Sequence, residues 1–101
     1  MEQKDKIDFQ SGAADAAELL KKMSNPHRLL ILCSLMNDEL SVSELNERID
    51  LSQSALSQHL ASLRQANLVT TRKEKQTVLY QLNSNEVIQI ISTLHSIYCA
   101  E

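Results

Sequence analysis

The segment Leu51–Leu63, LSQSALSQHLASL, carries the clearest structural signal in this chain. Ser52 is a favourable N-cap residue, and about three turns of helix can follow it. At 100° per residue, Leu56, Leu60 and Leu63 fall within about 60° of one another and form a narrow apolar stripe. The opposite face carries the short hydroxyl, amide and methyl side chains of Ser54, Ser57, Gln58 and Ala61. Such side chains can lie against a nucleic-acid duplex, so one interpretation is a helix that contacts DNA. The alternative interpretation is an ordinary amphipathic helix with few charges.

The composition indicates one globular domain. The chain has 101 residues, of which 43% are hydrophobic and 23% charged, with one glycine and one proline, so we expect helices joined by short connections. No apolar run approaches the roughly 18 residues that cross a bilayer. The start, MEQKDKIDFQ, has no apolar signal region, and we expect a cytoplasmic protein. Two cysteines in such a chain do not form a structural disulfide framework, and any pairing between them is expected to be regulated.

The net charge of −3 is unevenly distributed along the chain. Residues 51–83 contain Arg64, Arg72, Lys73 and Lys75 against Glu74 alone, which gives +3 and leaves −6 for the remainder. The basic charge therefore accompanies the Leu51–Leu63 segment, as nucleic-acid binding would require.

Two helices are predicted before residue 37. Residues 1–10 are expected to form a mobile polar leader, and a first helix is expected from about Ser11. Asn25 and Pro26 then supply the N-cap and the first residue of a second helix that runs to about Met36. Residues 11–101 are expected to form a single domain that binds DNA and dimerises.

A helix-turn-helix is predicted in the middle of the chain. Ser41 and Glu44 have the spacing of a capping box at the start of a third helix. Asp50 and Leu51 form a tight turn into the Leu51–Leu63 helix. Two short helices joined in this way, the second with a polar face of low charge, are typical of a helix-turn-helix.

A β-hairpin is predicted after Asn67, where the apolar periodicity changes from 3.6 to 2. The strands fall in residues 68–72 and 77–82, and residues 73–76 make a charged turn. A hairpin in this position is a wing, whose cations can reach backbone phosphates or the minor groove. A solvated turn is the alternative, but the consecutive order of helix, turn, helix and basic hairpin favours the wing.

The last helix, from near Ser84 to about Tyr98, is predicted to form a subunit interface. Its apolar residues are Val87, Ile90, Ile91, Leu94, Ile97 and Tyr98. They cover more surface than one small wing needs, so a twofold homodimer with the first helix contributing is favoured over burial within the monomer. Two recognition helices would then read the half-sites of an imperfect palindrome.

The chain resembles the ArsR/SmtB family of winged-helix repressors over essentially its full ordered length. The matching stretches are LLKKMSNPHRLLIL, ELSVSEL, LSQSALSQHLASLRQANLV and TTRKEKQTVLYQL. The resemblance implies a mainly α fold with an α+β wing, in the order of four helices, two strands and a fifth helix. It also implies a homodimer through the first and last helices, and binding of a double-stranded DNA operator by the fourth helix and the wing.

The residues expected to contact DNA lie on that fourth helix and on the wing. Those expected at or beside the major groove are Gln53, Ser54, Ser57, Gln58 and His59, with Arg64 near a phosphate. Those expected to hold the flanking backbone are Arg72, Lys73 and Lys75.

The usual metal sites of the family are not expected here. The arsenic-type site places two cysteines at the start of the third helix, where this chain has Ser41 and Ser43. Serine hydroxyls are poor ligands for soft metals. The zinc-type site uses paired ligands on the last helix, where this chain has His95, Glu86 and Glu101 without that pairing. His95 is interpreted as a solvated residue, and no cofactor is expected.

Cys33 and Cys99, with serine at the metal-site positions, resemble the HlyU/BigR/SqrR/YgaV branch of the family. In that branch a cysteine of the second helix and one at the end of the last helix form a dithiol. The dithiol senses reactive sulfur or oxidants by closing into a disulfide or polysulfide bridge. The resemblance therefore implies that the redox or persulfide state of both cysteines controls operator affinity.

An inert pair of cysteines is the alternative, because Cys33 lies beside Leu29 and Leu32 as a core thiol would. The same regulator would then act as an anti-silencer or respond to another effector. Direct repression and displacement of a nucleoid silencer both occur in this branch, and both stay open.

Two other classes of function are less consistent with the sequence. An adaptor could use the basic wing to bind an acidic protein, and sequence-selective, salt-sensitive DNA binding would distinguish it from a regulator. A thiol enzyme would need a CxxC motif, a Cys–His pairing or a Gly-rich loop. The chain has none of these patterns, and we expect no enzymatic activity.

Overall fold

The structure is a computed structural model that describes the backbone of residues 2–99 and the side chains of residues 9–99. Its elements are α1 (Glu2–Met23), α2 (Pro26–Ser34), α3 (Val42–Arg48), α4 (Gln53–Gln65), β1 (Val69–Glu74), β2 (Thr77–Leu82) and α5 (Asn85–Tyr98). The predicted order of elements and the mainly helical class are confirmed. No described helix combines the length and the apolar character that a bilayer span requires.

Three predicted helix starts are confirmed by their hydrogen bonds. The side chain of Asn25 accepts from two backbone N–H groups of α2 at 2.8 and 3.1 Å, and Pro26 follows it. Ser41 and Glu44 form both hydrogen bonds of the capping box, at 2.9 and 3.1 Å. Ser52 accepts from the third backbone N–H that follows it, at 3.1 Å. These bonds satisfy N–H groups that a helix leaves free at its start.

The predicted start of the first helix near Ser11 is wrong, because α1 already begins at Glu2. The first ten residues are rich in Glu, Gln and Lys, which favour a helix even without an apolar stripe. Gly12 inside the helix costs only about 1 kcal/mol, which is too little to end it. The mobility expected of residues 1–10 stays a prediction, because most of those side chains lie outside the described ones.

Helix α2 ends at Ser34, two residues before the predicted end at Met36. The backbone N–H of Met36 donates to the carbonyl of Cys33 at 3.2 Å, so the chain leaves the helix through a tighter turn. This turn leads into the segment that pairs with the hairpin.

The predicted hairpin is confirmed, with β1 and β2 antiparallel from Val69↔Leu82 to Glu74↔Thr77. Its turn is shorter than predicted, because Lys73 and Glu74 lie in β1 and only residues 75–76 form the turn. Lys75 has φ 59°, a left-handed conformation that is uncommon outside glycine.

The segment between α2 and α3 pairs with the hairpin. Leu40 and Tyr80 exchange two backbone hydrogen bonds of 2.8 and 3.1 Å, so Leu40 forms a short bridge along β2. This bridge fixes the wing against the helical part of the domain.

The leucine stripe of α4 lies at the centre of the core, and Leu56, Leu60 and Leu63 are fully buried. The other buried residues come from α1, α2, α3, β1, α5 and the connecting segments: Met23, Ile31, Leu32, Leu35, Leu40, Leu45, Ile49, Leu68, Val69, Val87 and Ile91. Burying one leucine contributes about 1.5–3 kcal/mol, so the stripe sets the rotation of α4 about its axis. The opposite face of α4 consequently points to solvent.

Candidate nucleic-acid interface and cysteine pocket

The outward face of α4 presents the polar residues that the sequence predicts. Gln53, Ser54, Ser57 and Gln58 are all exposed, and together with Ala61 they line one shallow concavity. None of these side chains carries a charge, and the buried stripe behind them holds the face in place. The structure therefore brings the predicted major-groove residues together on one surface.

This polar face continues into a groove between α4 and the wing. The groove is lined by Ser57, Ala61, Arg64, Gln65, Asn67 and Tyr80. Arg64 is exposed in the last turn of α4, as a phosphate contact requires. The sequence reasoning missed Tyr80, since the alternation of β2 assigns it to the apolar side with Val78 and Leu82. The structure leaves Tyr80 half-buried at the base of the groove.

Lys73 and Lys75 lie near the tip of the wing with exposed side chains. Among the described side chains, the ion pairs involve other residues, and neither lysine takes part in one. Their charges are thus available to an anionic partner, and they lie at the tip of the hairpin that flanks the polar face of α4.

Arg72 differs from the two lysines because it already has carboxylate partners within the domain, and its contact with the DNA backbone stays a prediction. Its guanidinium donates three hydrogen bonds to Glu39 at 2.7–2.9 Å and a longer one to Glu74 at 3.4 Å. The bond from Arg72 lowers the pKa of the Glu39 carboxyl, and the same contact raises the pKa of Arg72. Glu39 reaches Arg72 because the next residue, Leu40, pairs with the wing. Arg72 therefore anchors the wing to the domain.

His59 lies at the contact between α4 and α2, and its placement beside the major groove stays a prediction. Its Nδ1 accepts a hydrogen bond from Nε of Arg28 at 3.1 Å, and the ring of His27 lies 6.0 Å away. Burial lowers the pKa of His59, and the charges of Arg28 and His27 lower it further. At 100° per residue, His59 is closer to the leucine stripe than to the polar face, which explains its direction.

Cys33 of α2 and Cys99, the residue that caps α5, line the same pocket as free thiols. The pocket has a volume of about 410 Å³, and its other lining residues are Pro26, Leu29, Leu30, Ile91, Leu94, His95 and Tyr98. The sequence left open whether the two cysteines lie near each other. The structure places them around one apolar space between α2 and the end of α5.

The two thiols have different surroundings. Cys33 is half-buried, and burial raises the pKa of its thiol, with a smaller contribution from the charge of Cys99. Cys99 is exposed, and its backbone N–H donates to the carbonyl of His95 at 2.8 Å. The more accessible thiol is therefore Cys99, and Cys33 is the more protected one.

The residues at the usual family metal sites have other surroundings in this structure. Ser41 uses its hydroxyl to cap α3, and Ser43 is exposed. Among the side chains of residues 9–99, no three of His, Cys, Asp or Glu come together as metal ligands. Glu101 lies outside the described residues.

A set of large apolar side chains is exposed on helices α1, α2 and α5. The most exposed are Phe9, Leu20, Leu30, Ile97 and Tyr98, at 51–80% of their full area. The predicted stripe of α5 is divided, because Val87 and Ile91 are buried in the monomer while its last turn is open. The first part of α5 is thus buried within the domain, and the subunit interface expected for this helix stays a prediction.

Comparison with known proteins gives consistent matches. A family model of bacterial regulatory proteins of the arsR family matches residues 25–71. The transcriptional activator HlyU of Vibrio cholerae serotype O1 is 56% identical over 92 residues, covering 91% of this chain and 85% of that protein.

Two solved structures extend the match to the whole fold. Reduced HlyU from Vibrio cholerae N16961 has a TM-score of 0.86 at 56% identity, covering 91% of this chain and 97% of that one. The transcriptional repressor BigR from Xylella fastidiosa has a TM-score of 0.87 at 36% identity, covering 95% and 98%. The winged-helix architecture is thereby confirmed.

Proposed function

The chain belongs to the arsR family of bacterial regulatory proteins and is a DNA-binding transcriptional regulator of the HlyU and BigR type, and we propose that a cysteine pair controls it. In this proposal a homodimer binds an operator, and the redox or persulfide state of Cys33 and Cys99 sets the affinity. The observation that carries the proposal is that both free thiols line one pocket between α2 and α5.

Operator binding is supported by the uncharged face of α4 beside a basic wing. The amide of Gln58 has the donor and acceptor that match adenine in the major groove, and the hydroxyls of Ser54 and Ser57 can bond either bases or phosphates. Lys73 and Lys75 supply charges that no described carboxylate neutralises. Phosphate contacts of this kind position the recognition helix, while the amide contacts select the sequence.

Dimerisation is supported by the apolar side chains that α1 and the last turn of α5 leave exposed. A twofold interface would cover them in both copies at once, since such an interface is self-complementary. It would also set the two α4 helices one turn of DNA apart, about 34–36 Å, which requires a palindromic operator.

The different exposure of the two thiols supports switching by the dithiol. The exposed Cys99 thiolate attacks the outer sulfur of a persulfide donor, and the donor leaves as a thiol. Cys33 then attacks the inner sulfur of the Cys99 persulfide, which closes the disulfide and releases hydrogen sulfide. The bridge would link α2 covalently to the end of α5. A coupling of about 1–3 kcal/mol between the bridge and operator binding would change the operator affinity roughly 5–150-fold.

A second candidate is the same regulator with unreactive cysteines, acting as an anti-silencer or responding to another effector. The observation that favours it is the half-buried Cys33, whose thiol pKa is raised by burial. A thiol with a raised pKa forms less of the reactive thiolate at neutral pH. The sign of regulation stays open in both cases, because HlyU is described as an activator and BigR as a repressor.

A mobility-shift experiment tests the proposal. DNA from upstream of the chain's own coding region is titrated with reduced protein, with polysulfide-treated protein and with protein that has been reduced again. The Cys33→Ser variant is the matched control. We expect binding to change on treatment and to return on reduction, while Cys33→Ser stays constant. An equal response of Cys33→Ser would refute the dithiol, and unchanged binding of the wild type would favour the second candidate.

A further inference from the structure

We propose that Arg28 is the positioning residue that couples α2 to the recognition helix α4, so that movement at Cys33 reaches the DNA-binding face through the hydrogen bond from Arg28 to His59. The inference rests on the proposed dithiol control. It adds the connection between the cysteine pocket and the polar face, which lie on different elements of the domain.

A single guanidinium joins three helices at this point. Nε of Arg28 donates to Nδ1 of His59 in α4 at 3.1 Å. Nη1 of the same side chain donates to the carbonyl of Lys22 in the last turn of α1 at 3.0 Å. The backbone N–H of Arg28 donates to the side chain of Asn25, the cap of α2, at 3.1 Å. The Arg28 side chain therefore links α4 to α1 and α2 by hydrogen bonds, in addition to the packing of the core.

The geometry of arginine suits this role. Its donors are fixed in one plane, so a shift that keeps one of the two side-chain bonds changes the angle of the other. The carbonyl of Lys22 is among those that a helix end leaves without an intrahelical partner, and it is satisfied by Nη1. A lysine at position 28 has a single flexible ammonium group and cannot hold both acceptors in this fixed arrangement.

His59 receives the bond in a defined state. Because its Nδ1 accepts, the imidazole is neutral and carries its proton on Nε2. The ring lies against that of His27 with the centroids 6.0 Å apart and the planes inclined at 36°. His59 directly follows Gln58 in α4, and the next residue, Leu60, is fully buried. A change in the rotation of α4 at His59 thus moves the proposed major-groove amide as well.

Cys33 lies on the same helix as Arg28, about 7.5 Å further along the axis at 1.5 Å per residue. Helix α2 is nine residues long and is anchored in the core by the buried Ile31 and Leu32, so it moves as one unit. A bridge to Cys99 would displace the end of α2 that carries Cys33. The same displacement would reach Arg28 at the other end and change its bond to His59.

The test compares operator affinity of the reduced and the bridged protein, using the upstream DNA fragment and polysulfide. The wild-type ratio of the two Kd values is expected to lie between about 5 and 150. In Arg28→Lys, which keeps the charge, the ratio is expected to fall to within about twofold of one. The matched control is Arg48→Lys, an exposed arginine of α3 with a single 3.7 Å ion pair to Asp38, which should keep the wild-type ratio.

The ratio separates coupling from a structural role, because a variant that only loosens the fold weakens both Kd values together. Should Arg28→Lys fail to fold, as shown by its circular dichroism, His59→Leu removes the acceptor and serves in its place. The double variant Arg28→Lys/His59→Leu should lower the ratio no further than either single variant, since each substitution removes the same hydrogen bond. If Arg28→Lys and His59→Leu both keep the ratio of the wild-type protein, this inference alone is overturned. If the wild-type protein itself has a ratio of one, the inference is overturned together with the dithiol control.

Discussion

The charge of Lys75 at the tip of the wing should appear as a defined part of the salt dependence of DNA binding. Its side chain is exposed and pairs with no described carboxylate, so it is expected to neutralise one phosphate in each protomer. Lys75→Gln removes the charge and keeps most of the side-chain length. Each lost phosphate contact makes the negative slope of log K against log salt shallower by about 0.9, or by about 1.8 for a dimer. Between 50 and 200 mM salt, the affinity of the variant should therefore fall by a factor about 12 smaller than that of the wild type.

The assay is fluorescence anisotropy with labelled DNA at four or more salt concentrations, using both the upstream fragment and a random duplex. Because phosphate groups carry no sequence information, Lys75→Gln should make the slope shallower by the same amount on the upstream fragment and on the random duplex. The control is the double variant Glu39→Gln/Arg72→Gln, which removes an ion pair without changing the net charge. Its slope should match the wild type. An unchanged slope in Lys75→Gln, or an equal fall in the control, would refute the placement of the wing charges.

Three further outcomes are expected. Gln58→Ala should lose about 1–3 kcal/mol of base discrimination, which is a roughly 5–150-fold fall in the ratio of specific to random DNA binding. A competition titration in which binding to both DNAs falls equally would contradict this. Leu60→Ala should lower the free energy of unfolding by about 2–5 kcal/mol, because the side chain is fully buried. A urea titration that gives a loss below about 1 kcal/mol would contradict the place of Leu60 in the core. Since the pKa of His59 is lowered by burial and by the facing charges of Arg28 and His27, the folded state disfavours the protonated ring. The free energy of unfolding should therefore be unaffected by His59 above about pH 6.5 and should decline below that pH. The decline should be smaller in His59→Leu, and identical pH profiles of the two proteins would argue against this.

The elements that carry the site could be predicted because their signals are local. Ser52 and the leucine stripe fix the start and the rotation of α4 within thirteen residues, and both are confirmed. The capping box of Ser41 and Glu44 likewise involves neighbours in the chain. The start of α1 was missed because its first residues favour a helix by propensity alone, without the apolar periodicity that the prediction relied on.

The intramolecular contacts of Arg72 and His59 could not be predicted, because their partners are distant in sequence. Glu39 lies 33 positions from Arg72, and Arg28 lies 31 positions from His59. Charge alone made Arg72 equivalent to the lysines of the wing, while the tertiary fold gives it a carboxylate. The proximity of Cys33 and Cys99 has the same origin, since it depends on the packing of α5 against α2.

Control of DNA binding by the dithiol can be tested by measuring Kd and intact mass on the same polysulfide-treated sample. The species with Cys33 and Cys99 linked is recognised by the loss of two hydrogen atoms, with or without added sulfur. It should bind the upstream fragment with a Kd changed about 5–150-fold, and reduction should restore the original value. Complete linkage with an unchanged Kd would show that the dithiol does not control DNA binding.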